Sequence, residues 1–174
     1  MAAIIIDAKD ARKIPRAMRL ATVSAINKAM GKARVAASKE VRQVYNIKAG
    51  DIKKALNITR ANSKKMYSNH IISGKRLLLS YFSPRQTKKG VTVRIKKSSG
   101  RKVVQGAFEA TMKTGHKGVF KRKGKSRLPI RELTTLDLPT MYDLRAERVF
   151  DKTISSEFNK IFDHEFNYRL SKIA

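Results

Sequence analysis

His164 lies between Asp163 and Glu165, the only point in the sequence where an imidazole adjoins carboxylates. Such a trio could hold a divalent metal or relay a proton. Consecutive residues on a helix point in different directions, so this trio does not converge. His70 and His116 are far away in sequence, and no two histidines fall at the HxxxH spacing of a helical metal site. There is no cysteine, which excludes disulfides and thiolate metal sites. No GxxxxGK[ST], GxGxxG or GxSxG pattern occurs, and no nucleophile stands beside a base. The sequence therefore offers no catalytic residue, no metal site and no cofactor site, and it is expected not to be an enzyme.

The residues that could do chemistry are the basic ones. Forty Lys and Arg against 13 Asp and Glu give a net charge of +27. Residues 1–59 hold 13 basic and 4 acidic side chains, and residues 132–174 hold 6 and 8. Between them, residues 60–131 hold 21 basic side chains and a single acid, Glu109. The densest stretch is GHKGVFKRKGKSRLPIR at 115–131, which has no acid. Lys117, Lys121, Arg122, Lys123, Lys125 and Arg127 are the candidate contact residues for DNA or for an acidic protein partner. Such a surface would bind phosphates without reading bases. Aromatic side chains that could stack on bases are sparse, so single-strand recognition is weakly supported.

These charges need a scaffold. Hydrophobic residues make up 41% of the chain, too many for a disordered polybasic segment. The 174 residues fit one domain, 1–174, with its own core. No apolar run approaches the roughly 20 residues of a membrane span, and MAAIIIDAKD lacks the pattern of a signal peptide. The absence of cysteine fits a reducing, cytoplasmic setting.

Helix is expected over 10–57. Ile14, Met18, Ala21, Ala25, Ile26, Ala29, Ala33, Ala37, Val41 and Val44 recur at spacings of three and four, with Pro15 in the first turn and Gly31 as a possible bend. Lys48-Ala49-Gly50 reads as a turn before a short helix begun by Asp51, with Ile52, Ala55 and Leu56 inward. Two helices about a Gly-containing turn also outline a helix-turn-helix, but the second offers few side chains able to read bases.

The basic middle, 64–133, changes to period two. MYSNHIIS and KRLLLSYF are expected to form a hairpin about Ser73-Gly74. VTVRIKK, KVV, AFEATM, VFKR and LPIREL supply further short strands of an antiparallel sheet. Phe108 and Phe120 alternate with polar neighbours and are expected to face the helices. A C-terminal helix is expected over 139–173, with an interruption near Asp151. Phe158, Phe162 and Phe166, four apart, should stack on one face as core or subunit contact. The class is α+β: N-terminal helices, a central antiparallel β-sheet of short strands, and a C-terminal helix.

The order of the middle segments carries a resemblance. Ile72-Ser73-Gly74-Lys75-Arg76-Leu77 comes first, with Leu79 and Phe82. Gly106-Ala107-Phe108 follows, then Gly118-Val119-Phe120-Lys121-Arg122 and Lys125-Ser126-Arg127-Leu128-Pro129-Ile130. With the upstream YNIKAGDIKKALNITRA, this resembles the phage minor tail protein Z family, the tail completion proteins of tailed bacteriophages, over roughly residues 10–165. The resemblance implies a structural protein at the head-proximal end of the virion tail, assembled in the host cytoplasm. It would act in tail completion, head–tail joining and DNA passage. The implied partners are the tail terminator, the tail tube and the head–tail connector. The chain would form a homo-oligomeric ring, by tail symmetry a hexamer, with non-specific contact to genomic DNA and none to membrane. Composition alone suggests a different protein, a stand-alone sequence-independent nucleic-acid binder of ribosomal or nucleoid type.

Overall fold

Alanine at every fourth position decides the first element. The computed structural model describes residues 13–72 and 74–173. In it a single 31-residue helix, α1 (Ile14–Val44), runs through Gly31 without a break. Pro15 sits in its first turn, where a missing N–H costs nothing. Ala17, Ala21, Ala25, Ala29, Ala33 and Ala37 are all buried, and their small side chains leave room for close packing. Met18, expected inward, is 51% exposed, because the buried stripe follows the alanines one position away. The expected start at residue 10, the reading of residues 1–10 and the turn residue Ser73 lie outside the described residues.

The chain divides into two units, described separately. Among the described residues, the first comprises 13–37, 57–71 and 147–173. It holds most of α1 and most of a 27-residue helix, α4 (Leu144–Leu170). Ala25, Ala29 and Ile161 form its core cluster, with Phe158 and Phe162 packed against it. The side chain of Asn27 holds the 57–71 segment through two hydrogen bonds, accepting from Ala61 N at 2.9 Å and donating to Ala61 O at 3.0 Å. His70 stacks on Phe150 with ring centroids 4.3 Å apart. Strand β1 (Leu56–Ile58) pairs with β2 (His70–Ile72).

Glu165 is the buried carboxylate of this unit. Arg169 and Lys28 both donate to it, and these bonds hold its pKa down to about 2, from an ordinary 4.5. A depressed carboxyl stabilises the fold above its unfolded pKa, and that contribution disappears as pH falls from 4.5 towards 2. Glu165→Gln should therefore cost about 1–2 kcal/mol at neutral pH. The gap to wild type should close through that acid window. Urea unfolding at pH 7, 4 and 2.5 checks this, and a gap unchanged at pH 2.5 would remove the ion pair as its cause.

The second unit comprises residues 38–56 and 72–146. Helix α2 (Ala49–Ala55) opens with Asp51 in its first turn and buries Ile52 and Ala55. Ala49 and Gly50 are helical rather than part of the expected turn. The strands form small sheets instead of one central sheet. Strands β4 (Arg85–Thr87), β5 (Gly90–Val93) and β6 (Lys102–Gln105) make one antiparallel sheet. Another comprises β7 (Ala107–Thr111), β8 (Lys117–Arg122) and β9 (Ile130–Glu132). Their shared core is Leu79, Val91, Val93, Ala107 and Val119. The Arg101 guanidinium ties β5 to the segment before β4, donating to the Thr92 and Ser83 carbonyls.

Three expectations fail here. The hairpin about Ser73-Gly74 does not form. Strand β3 (Arg76–Leu78) pairs instead with β10 (Thr134–Asp137), and β2 pairs back to β1. SYF belongs to a 3₁₀ turn, Leu79–Phe82, that buries Leu79 and Phe82. The C-terminal helix breaks at Tyr142-Asp143 rather than near Asp151. A short helix, α3 (Leu138–Met141), comes first, and the Asp143 carboxylate then accepts from Arg145 N and Ala146 N to start α4. Leu144 is 68% exposed at that junction. Finally, Phe108 and Phe120 do not join the core cluster. They pair across β7 and β8 on one face, while Ala107 and Val119 turn to the other, where the core lies. Phe120 is still buried, at 6% exposure, with Phe108 and His116 around it.

Candidate functional site

The second unit carries 24 Lys and Arg against 6 Asp and Glu. Its densest segment, 115–131, is a hairpin with a long loop. Strand β8 brings the chain in, β9 takes it out, and Lys123 N donates to Pro129 O at 3.0 Å to close the base of the loop. Val119 and Phe120 fix this hairpin by burial on opposite faces. Charge that could not be buried is thus held out by apolar residues that are.

Lys117, Arg122, Lys123, Lys125 and Arg127 are exposed, and Lys121 is half-buried beside Ala107. Alternation splits them. Lys117 and Lys121 share the face of Val119, while Arg122 sits over the Phe108 ring at 5.8 Å. The structure gathers Lys121, Arg122 and Lys125 around a cleft of about 510 Å³. Lys117, Lys123 and Arg127 do not line it.

Two cleft residues escape sequence reasoning. Lys88 and Lys89 form the two-residue turn of the β4–β5 hairpin, closed by the Thr87–Gly90 pair. KKG ahead of an alternating strand was the available signal. Gly90, Gly106 and Gly124 contribute lining without side chains, and among the described residues no carboxylate lines the cleft.

The Phe158, Phe162 and Phe166 rings stack in series on α4, at 6.2 and 5.7 Å between centroids. The three histidines stay apart in role. Burial and the Arg34 charge push the His70 pKa below its ordinary 6.5, so at neutral pH it serves as an uncharged aromatic surface. His116 Nε2 lies 2.8 Å from Glu132 Oε1, over a space that Gly118 keeps open. His164 lines a separate groove with Lys28, Lys32 and Lys160. Among the described residues, no three His, Asp or Glu side chains gather where they could hold a metal. No helix among them is long and apolar enough to cross a membrane.

Comparison with known families sets the chain among the structural proteins of phage tails. It belongs to the prophage minor tail protein Z family, whose profile matches residues 8–173. No curated protein and no solved structure matches it. As a member of that family it is a component of the virion tail and interacts with other tail proteins.

Proposed function

We propose that this chain is a tail completion protein. It sits at the head-proximal end of the tail, as a ring of six copies, and prepares the tail for joining to the head and for passage of the genome. The observation that carries this reading is the cationic cleft of the β-rich unit, in a chain of the minor tail protein Z family. A ring multiplies the +27 of each copy, and like charges at that density repel unless a polyanion or an acidic neighbour lies against them. At the head-proximal end the counter-charge would be an acidic neighbouring ring or the DNA entering the tail. Lys117, Lys121, Arg122, Lys123, Lys125 and Arg127 face one of these in the assembled tail. The chain does its work by contact and not by catalysis.

Position in the virion is the direct test. Particles carrying an epitope on the exposed C-terminal Lys172 end should show label at the head–tail junction by electron microscopy. Label at the distal tip, or along the tube, would overturn this reading.

A further inference from the structure

The cleft lined by Lys88, Lys89, Lys121, Arg122 and Lys125 is assembled by residues far apart in sequence. Two of the cations come from the β4–β5 turn, the others from the end of β8 and the loop after it. Apolar packing holds these elements, so the charges converge on a scaffold and are not a flexible tail. We propose that this cleft seats the phosphodiester backbone of duplex DNA, without reading its bases. This deepens the tail completion reading and rests on it for the source of the DNA, whereas the chemistry of the cleft can be measured on the isolated protein.

Four observations favour DNA over an acidic protein. First, among the described residues no carboxylate lines the cleft, while five cations do. Duplex DNA offers one negative charge per about 1.7 Å of axis, a density matched to such a cluster. Second, four of the five cations are lysines. Lysine is a compact point charge that meets phosphate oxygens without a fixed fork geometry, which suits contact with a backbone whose bases are not read. Third, Gly90, Gly106 and Gly124 leave a cleft about 510 Å³ in volume that a protruding backbone can enter. Fourth, among the described residues no helix lines the cleft to enter a major groove, and Phe108 is already covered by Arg122 and packed on Phe120 at 6.3 Å. With no free ring for base stacking, the site suits a duplex backbone better than a single strand.

The test uses purified full-length protein and a random-sequence 30-base-pair duplex, titrated by fluorescence anisotropy at several salt concentrations. The log affinity should fall linearly with log salt, with a slope of about −0.9 per phosphate neutralised. Two paired variants probe the two walls: Lys88→Gln with Lys89→Gln, and Lys121→Gln with Lys125→Gln. Each should reduce the steepness of the slope by nearly 2. A control pair outside the cleft, Lys53→Gln with Lys97→Gln, removes the same charge and should change the slope by less than half as much. Thermal melts confirm that each variant folds. Equal slope changes for all three pairs would show adhesion by net charge alone and overturn the site. So would a slope unaffected by the Lys88 and Lys89 pair. Competition by poly-glutamate stronger than by duplex, at equal charge concentration, would assign the cleft to an acidic protein. Head-proximal label without DNA binding would leave the tail completion reading standing and sink this one.

Discussion

A prophage from which this chain is deleted should, on induction, still assemble heads and tail tubes, yet yield very few plaques. Heads and tubes form from their own subunits, and a completion protein acts after them. The defect should therefore appear as unjoined heads and tails in electron micrographs, with structural proteins present in normal amounts. A plasmid-borne copy should restore the plaque count. The charge variants sharpen the result. If the cationic cleft is needed in the tail, a copy with Lys88, Lys89, Lys121 and Lys125 all replaced by Gln should fold and yet fail to restore plaques. A normal plaque yield from the deletion would sink the completion reading. Absence of tail tubes altogether would move the protein to an earlier step. The expected loss is large, because one missing junction leaves a particle non-infectious however well the rest is built.

What could be read from the sequence, and what could not, follows the range of the interactions. Helix α1 was legible because alanines four apart are a local signal, and so were the β5–β6 and β7–β8 hairpins, where alternating residues flank glycine turns. The β3–β10 pairing was not, because its strands lie over fifty residues apart and each looks locally complete. Ser73-Gly74 offered a turn, and a turn signal says nothing about a distant competitor. The facing of β7 and β8 failed for a different reason. Alternation fixes which residues share a face, and both faces here are apolar: Ala107 with Val119, and Phe108 with Phe120. Only the packing of Leu79, Val91 and Val93 decides which one is the core. The basic hairpin was legible from composition, while the cleft was not, because two of its five cations, Lys88 and Lys89, come from a turn far upstream in sequence. The Asp143 cap, which splits the C-terminal helices, had a signal in its residue type that the apolar periodicity masked.

Gly90→Ala should be among the most damaging single substitutions in the chain. Gly90 has φ +147°, a conformation that side-chain-bearing residues rarely adopt. A Cβ there would stand 2.2 Å from the Val104 carbonyl oxygen, and 3.0 and 3.1 Å from two further backbone atoms. Those atoms cannot retreat cheaply, since Val104 and Gln105 are paired with Val91 and Gly90 in the β5–β6 ladder. Val91, the next residue, is fully buried in the core of this unit. Shifting the ladder to relieve the clash would therefore also disturb the packing of Val91 and Val93. Backbone strain of this kind costs about 1–3 kcal/mol, and the clash adds to it, so a total of about 3 kcal/mol or more is expected. Gly74→Ala is the matched control. Nothing lies within 4 Å of a Cβ at Gly74, and its cost should stay within about 0.5 kcal/mol. Urea midpoints of the two variants against wild type decide the matter. Gly90 also ends the turn that presents Lys88 and Lys89, so the same substitution should weaken duplex binding beyond what the two cleft pairs predict from charge alone. If Gly90→Ala and Gly74→Ala unfold at the same urea concentration, the β5–β6 register is wrong, and the wall of the cleft built on it falls with it.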